Sequence, residues 1–188
     1  MIKIFIQLLL NASPVILAAI FHMLVVKKNW FSKLCYPLDH FNTFKGKRIF
    51  GNNKTYRGIL IMVVASIVFS YLYYNCMNTC DSLLEYNLLD INTHSFVFYG
   101  FIFGIGYIVG ELPNSFYKRQ RNVASGKADT VLMHIIDQVD SVFTVMFFLV
   151  VFSSFSWFHF VIGIFFYGFI HLGINYLLFL FGLRKEAF

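Results

Sequence analysis

The chain alternates long apolar runs with short polar stretches. The apolar runs cover about Ile4–Val26, Ile59–Tyr74, Ser95–Leu112, Ile135–Phe152 and Phe158–Leu183. Each approaches the roughly 20 residues that a helix needs to cross the hydrocarbon of a bilayer. The pattern predicts an all-α integral membrane protein with five transmembrane helices and two functional loops on the cytoplasmic side. Pro14 interrupts the first run, which a membrane helix tolerates. The apolar stretch Val15–Val26 beyond it argues against a cleaved signal peptide. The second run is short, so its polar flank is placed at the interface, and Glu111 and Pro113 are expected to close the third. A composition that is 59% hydrophobic and 13% charged decides for a membrane over a large soluble core, because soluble domains are nearer a quarter charged. No repeat or linker divides the chain, so residues 1–188 are read as one domain.

The charges sort by loop. Lys27, Lys28, Lys33, Lys45, Lys47, Arg48, Lys54 and Arg57 fall between the first two runs, against one acid, Asp39. The stretch 75–94 has no Lys or Arg and carries Asp81, Glu85 and Asp90. The next polar stretch has Lys118, Arg119, Arg121 and Lys127, and the tail has Arg184 and Lys185. By the positive-inside rule, the first and third loops and the C-terminus face the cytoplasm and the N-terminus lies outside. This predicts a multi-pass protein of the cell (inner) membrane. The net charge of +6 is then explained by orientation and anionic ligands, and no nucleic-acid partner is expected. Cys35, Cys76 and Cys80 lack the paired spacing of a zinc site. Cys76 and Cys80 fall on the predicted outer side, where a disulfide and two unpaired thiols both stay open.

Three groups of residues suggest chemistry. In the first loop Gly46, Gly51 and Gly58 stand among Lys47, Arg48, Lys54 and Arg57. Flexible backbone with point and fork charges suits a phosphate chain. Gly46 and Gly51 have Walker A spacing, but Asn52 and Asn53 intervene before Lys54-Thr55, which rules out that motif. Second, Glu111-Leu-Pro-Asn-Ser-Phe-Tyr-Lys-Arg119 sets an acid at the end of a span, where acids are costly and usually functional. Third, Asp137 and Asp140 share a helical face and suit Mg²⁺, which takes one or two carboxylates together with substrate oxygens. Structural readings stand beside each: a positive-inside loop, snorkelling anchors, and acids paired with Lys127 or Arg121. His40 and His134 lie near these groups and read first as interfacial polar residues. His22, His159 and His171 are given no role, and Asn175 is expected to hydrogen-bond between helices.

Pro37-Leu-Asp39, Gly46-Lys-Arg48, Lys54-Thr-x-Arg-Gly58, Glu111-Leu-Pro-Asn-Ser-Phe-x-Lys-Arg119 and Asp137-Gln-Val-Asp140 resemble the signature blocks of the CDP-archaeol synthase family. These are small membrane cytidylyltransferases related to phosphatidate cytidylyltransferase, and the resemblance covers nearly the whole chain. It implies transfer of CMP from CTP to a membrane lipid phosphate, with Mg²⁺ as cofactor and CTP, the lipid phosphate and the bilayer as partners. It assigns the metal to Asp137 and Asp140, with Glu111 and Asp39 as supporting or additional ligands. It assigns phosphates to Lys54, Arg57, Lys118 and Arg119, and hydrogen bonding to Thr55, Asn114 and Ser115. The alternatives are a phosphatidate cytidylyltransferase acting on diacyl lipid and a non-catalytic lipid-phosphate-binding membrane protein. A transporter would be expected to show repeated halves.

Overall fold

The computed structural model describes residues 2–153 and 155–183. The tail cations Arg184 and Lys185 lie outside the described residues. Five long helices dominate: α1 (Ile2–Lys27), α2 (Tyr56–Thr79), α4 (Phe96–Gln120), α5 (Val131–Phe152) and α6 (Trp157–Leu180), with a short α3 (Asp81–Leu84) between the second and third. All five long helices are long and apolar enough to span a bilayer, and the chain is a multi-pass integral membrane protein.

Several boundaries differ from the hydropathy reading. Helix α2 starts at Tyr56 because the Thr55 side chain caps it, accepting from the Gly58 amide at 3.2 Å. It ends at Thr79, beyond the apolar run. Helix α4 does not close at Glu111–Pro113. It runs through Pro113 to Gln120, so Asn114, Ser115, Lys118 and Arg119 belong to helix rather than loop. A proline removes one donor and one turn's hydrogen bond, and neighbouring helices in a membrane bundle compensate that loss. Helix α5 starts at Val131, capped by Thr130, which places Asp137 and Asp140 in its second and third turns.

Helix α4 is the hub. It packs along α2 on one side and α5 on the other, α1 lies against α2, α6 against α5, and α1 and α6 touch lightly. Glycines make the hub. A Cβ on Gly100 or Gly104 would stand 2.4 or 2.6 Å from the Cα of Ile67 or Val63 on α2. One on Gly110 would stand 2.5 Å from the Asp140 carbonyl oxygen on α5. Bare backbone allows this approach, and van der Waals packing is the main attraction between helices in lipid.

The two ends of the bundle are organised differently. At the end holding α3, Asn11 ties α1 to the 86–88 segment: its Oδ1 accepts from Tyr73 Oη (2.5 Å) and Leu88 N (2.9 Å), and its Nδ2 donates to the Tyr86 carbonyl (2.8 Å). At the other end, residues 28–55 form a compact pad. A hairpin pairs β1 (Thr43–Phe44) with β2 (Lys47–Arg48), turned by Lys45 and Gly46, both at positive φ as a two-residue hairpin requires. The neck of the pad is closed where segments 36–38 and 54–56 meet, by Leu38 N to Lys54 O (2.8 Å) and Tyr56 N to Tyr36 O (3.1 Å).

Gly100→Ala is expected to lower stability by about 1–3 kcal/mol, the usual cost of overpacking. Gly173→Ala, whose added methyl meets nothing within 4 Å, should leave it unchanged. Thermal unfolding in detergent separates them, and equal unfolding temperatures would contradict the hub.

Candidate active site

The site is assembled where the pad, the last turns of α4 and the first turns of α5 meet. The pad docks on α4 through Lys47 Nζ to the Gln120 carbonyl (2.5 Å) and Gln120 Nε2 to the Arg48 carbonyl (3.3 Å). Inside this junction Asn114 lies between the two acids. Its Nδ2 donates to Asp137 Oδ1 at 2.6 Å and to Asp140 Oδ2 at 2.8 Å. Both carboxylates therefore face one point. Lys118 reaches the same cluster, with Nζ 2.5 Å from Asp137 Oδ2. Arg119, one residue on, holds the loop after α4 through Ser125 Oγ (2.8 Å) and the Ala124 carbonyl (3.2 Å). Lys54, from the pad, forms a short ion pair with Glu111.

These groups line the polar part of a cavity of about 380 Å³. Lys54, Thr55, Glu111, Asn114, Ser115, Lys118, Arg119, Asp137 and Asp140 all contribute to it. The remaining wall is largely apolar and runs between the helices past Val15, Phe103, Met146 and Leu149. A charged chamber thus continues into a greasy one within the membrane-spanning bundle.

Two sequence-predicted residues are placed elsewhere. Asp39 does not line the cavity. It is a buried organiser of the pad: it accepts from Arg48 Nη2 (2.5 Å) and Nε (3.1 Å) and from the amides of Phe41 (3.2 Å), Phe50 (3.0 Å) and Gly51 (2.9 Å). Burial pushes its carboxyl up, but the Arg48 guanidinium and the three amides outweigh this and hold it well below the usual carboxylate range. Arg57 also points away, donating to Asn29 Oδ1 (2.9 Å) and the Trp30 carbonyl (3.2 Å) at the end of α1. Both residues lock the loop that carries Lys54 and Thr55. The charge reading of this loop finds its cations but not this division of labour, which depends on the hairpin.

The donor set fits a hard divalent cation. Two carboxylates converge on one amide, and that amide's other end, Asn114 Oδ1, is a buried oxygen without a hydrogen-bond partner. Buried orphan acceptors are rare, and oxygen ligands are what Mg²⁺ takes. Glu111 is not gathered with the pair. Among the described residues no three His, Cys, Asp or Glu side chains form a metal-holding group, so substrate oxygens would complete the shell. Asn114 as the element linking the two acids, the Lys54–Glu111 pair, and His22 in the cavity wall escape sequence reasoning. The twofold G-x-x-x-G spacing at 100/104 and 106/110 is the signal that marks α4 as the packing hub.

Fold and cavity together define a class: a five-span intramembrane protein with an oxygen-rich ionic site at one end of an apolar chamber. A solved structure described as an intramembrane enzyme for archaeal membrane lipid biosynthesis has the same fold, with TM-score 0.64 over 89% of this chain and 91% of that one at 17% identity. Residues 6–188 match the family model of the CarS-like CDP-archaeol synthases, and the chain belongs to that family. A CDP-archaeol synthase of Methanocaldococcus jannaschii is 32% identical over 111 residues, and the match spans about half of each protein, 54%.

The Asp39 carboxylate is favoured more in the fold than in the unfolded chain, so its contribution is complete above about pH 4 and is lost as pH falls through its folded value. Asp39→Asn removes the charge at any pH. Amide hydrogen exchange at pH 7 should be faster at Phe50 and Gly51 in the variant, and equal protection would contradict this role.

Proposed function

We propose that the protein transfers CMP from CTP to a membrane lipid phosphate, giving a CDP-activated lipid and pyrophosphate. The observation that carries the reading is the convergence of Asp137 and Asp140 on Asn114, beside Lys118, where a charged chamber opens into an apolar one. A nucleoside triphosphate needs cations and a metal. A lipid phosphate needs an ionic site continuous with hydrocarbon. Membership of the CarS-like family supports the same choice.

In this reading an oxygen of the lipid phosphomonoester attacks the α-phosphorus of CTP. The new P–O bond forms as the bond to the β-phosphate oxygen breaks, and pyrophosphate leaves. A phosphomonoester is largely dianionic near neutral pH, since its second pKa is about 6, so the nucleophile needs no strong base. Catalysis is alignment and charge neutralisation. Mg²⁺ would be held by Asp137 and Asp140, with the Asn114 amide turned over so that its oxygen replaces Nδ2 between the acids, and would neutralise triphosphate oxygens when bound. Lys118, which pairs with Asp137, and Arg119, which bonds Ser125, would take up phosphate oxygens. Lys54 would do the same from the pad, with Glu111 of α4 fixing its position. Thr55 and Ser115 supply hydroxyls to the chamber. A non-catalytic lipid-phosphate binder accounts for the cations but gives two adjacent acids no purpose in a site meant for an anion.

The orientation proposed puts the pad and the 121–130 loop on the cytoplasmic side of the cell membrane. The support is the cluster of Lys and Arg at this end and the lack of either in 75–94.

Purified protein with a dialkylglycerol phosphate should move label from α-labelled CTP into the lipid extract and leave γ-label in pyrophosphate. Asp137→Asn and Asp140→Asn should each lower turnover on the order of a hundredfold or more while unfolding as the wild type does. Absent lipid labelling, or near-wild-type turnover in both variants, would overturn the proposal.

A further inference from the structure

One cavity-lining side chain has no task in the site described above. His22 lies on α1 in the wall of the same chamber as Lys54, Glu111 and Asp140. Its Nε2 is closed off from solvent and has no hydrogen-bond partner. The ring stands over the first turn of α2, where a Cβ on Gly58 would come 3.5 Å from Nε2. A buried polar atom left without a partner costs stability, and such atoms in native structures ask for an explanation.

The position of α1 suggests which anion it meets. Helices α1 and α6 are held together toward the α3 end, by Tyr167 Oη to the Leu8 carbonyl (2.7 Å) and the Phe5–Phe166 ring pair (5.4 Å). Toward the pad the two helices share the cavity wall, with Ala19 and His22 from α1 and His171 and Ile174 from α6. The chamber therefore runs along the α1–α6 seam, from Asn11 and Tyr167 to His22 and Ile174 at the pad. A lipid comes from the bilayer side, whereas CTP comes from the pad side with its cations. His22 stands on α1, one of the two helices of that seam, over the first turn of α2 and in the same wall as Lys54, Thr55 and Glu111.

We propose that His22 binds the acceptor: with a proton on Nε2, and with the ring turned from the first turn of α2 into the chamber, it donates to an oxygen of the lipid phosphomonoester and sets that phosphate opposite the nucleotide. The inference rests on the cytidylyltransferase reading only for the identity of the second substrate. His22 contributes a neutral or cationic donor where Lys54 is already engaged by Glu111. It thereby holds the nucleophilic phosphate without adding a second fixed ammonium beside the nucleotide's own cations.

The test compares wild type, His22→Ala and His22→Gln in detergent with a dialkylglycerol phosphate. In turnover assays His22→Ala should raise the KM for the lipid phosphate about ten- to a hundredfold, the value of a hydrogen bond to a charged group, with the KM for CTP unchanged. His22→Gln, which keeps an N–H donor of similar reach, should restore most of that loss. A second arm needs no turnover: without nucleotide, the lipid phosphate should raise the unfolding temperature of wild type and of His22→Gln more than that of His22→Ala, whereas inorganic phosphate should not separate them. If His22→Ala does not fold, His22→Phe, which keeps the ring, carries the same comparison. An unchanged lipid KM, a rise in the CTP KM instead, or equal stabilisation of all variants would overturn the inference. Wild type that binds the lipid phosphate through His22 but transfers no label would overturn the proposed reaction and leave this site standing.

Discussion

The close approach of α4 to its two neighbours governs the rest of the molecule. Side chains at 100, 104 and 110 would collide with the backbones of α2 and α5, one at 106 would crowd Val145, and glycine lets the three helices lie in contact. The same approach sets the chemistry. Gly110 rests against the Asp140 carbonyl, and four residues on, one helical turn away, Asn114 meets the carboxylates of Asp137 and Asp140. Packing and ligand geometry are thus one arrangement read at two heights of the same helix pair. In lipid there is no hydrophobic drive to bring helices together, so a site at a helix–helix seam has to be secured by shape.

Charge is the second constraint. Ionised groups within a bundle of this kind are expensive unless paired, and most of those near the chamber are paired: Asp39 with Arg48, Glu111 with Lys54, Asp137 with Lys118. The pairs differ in what they serve. The first is spent on the fold of the pad, since five hydrogen bonds fix Asp39. The other two line the cavity and hold charges that a phosphate and a cation can take over without leaving a bare ion behind. Among the described residues the Asp140 carboxylate has the Asn114 amide and its neighbouring Ser141 N–H (2.6 Å) and no cation, which makes it the acid most in need of one.

Much of this is legible in the sequence because it depends on local pattern. Five apolar runs give five spans, and the i, i+3 spacing of the acids gives their common face. The boundaries were less legible. Pro113 looks like a stop signal, yet α4 passes through it because neighbouring helices support the backbone there, and this moves Lys118 and Arg119 from a loop onto the helix. The roles of Asp39 and Arg57 were misplaced for a different reason. Charge and glycine content mark their loop as phosphate-binding, but which cation faces the chamber is decided by the hairpin and by where α1 ends. His22 looked like an incidental residue of a span, and only the shape of the cavity brings it beside Glu111 and Lys54.

We propose that glycine-mediated contact between α4 and α5 builds a divalent-cation site from Asp137, Asp140 and Asn114. Binding of Mn²⁺ to detergent-purified protein, followed by loss of the free-ion signal in electron paramagnetic resonance, tests it without reference to turnover. Gly110→Ala, which must push α5 away beside Asp140, should bind Mn²⁺ about ten- to a hundredfold more weakly than wild type, as displacement of a ligand's support does elsewhere. Gly173→Ala should bind as wild type. Equal Mn²⁺ affinity in Gly110→Ala, wild type and Asp140→Asn would contradict the account.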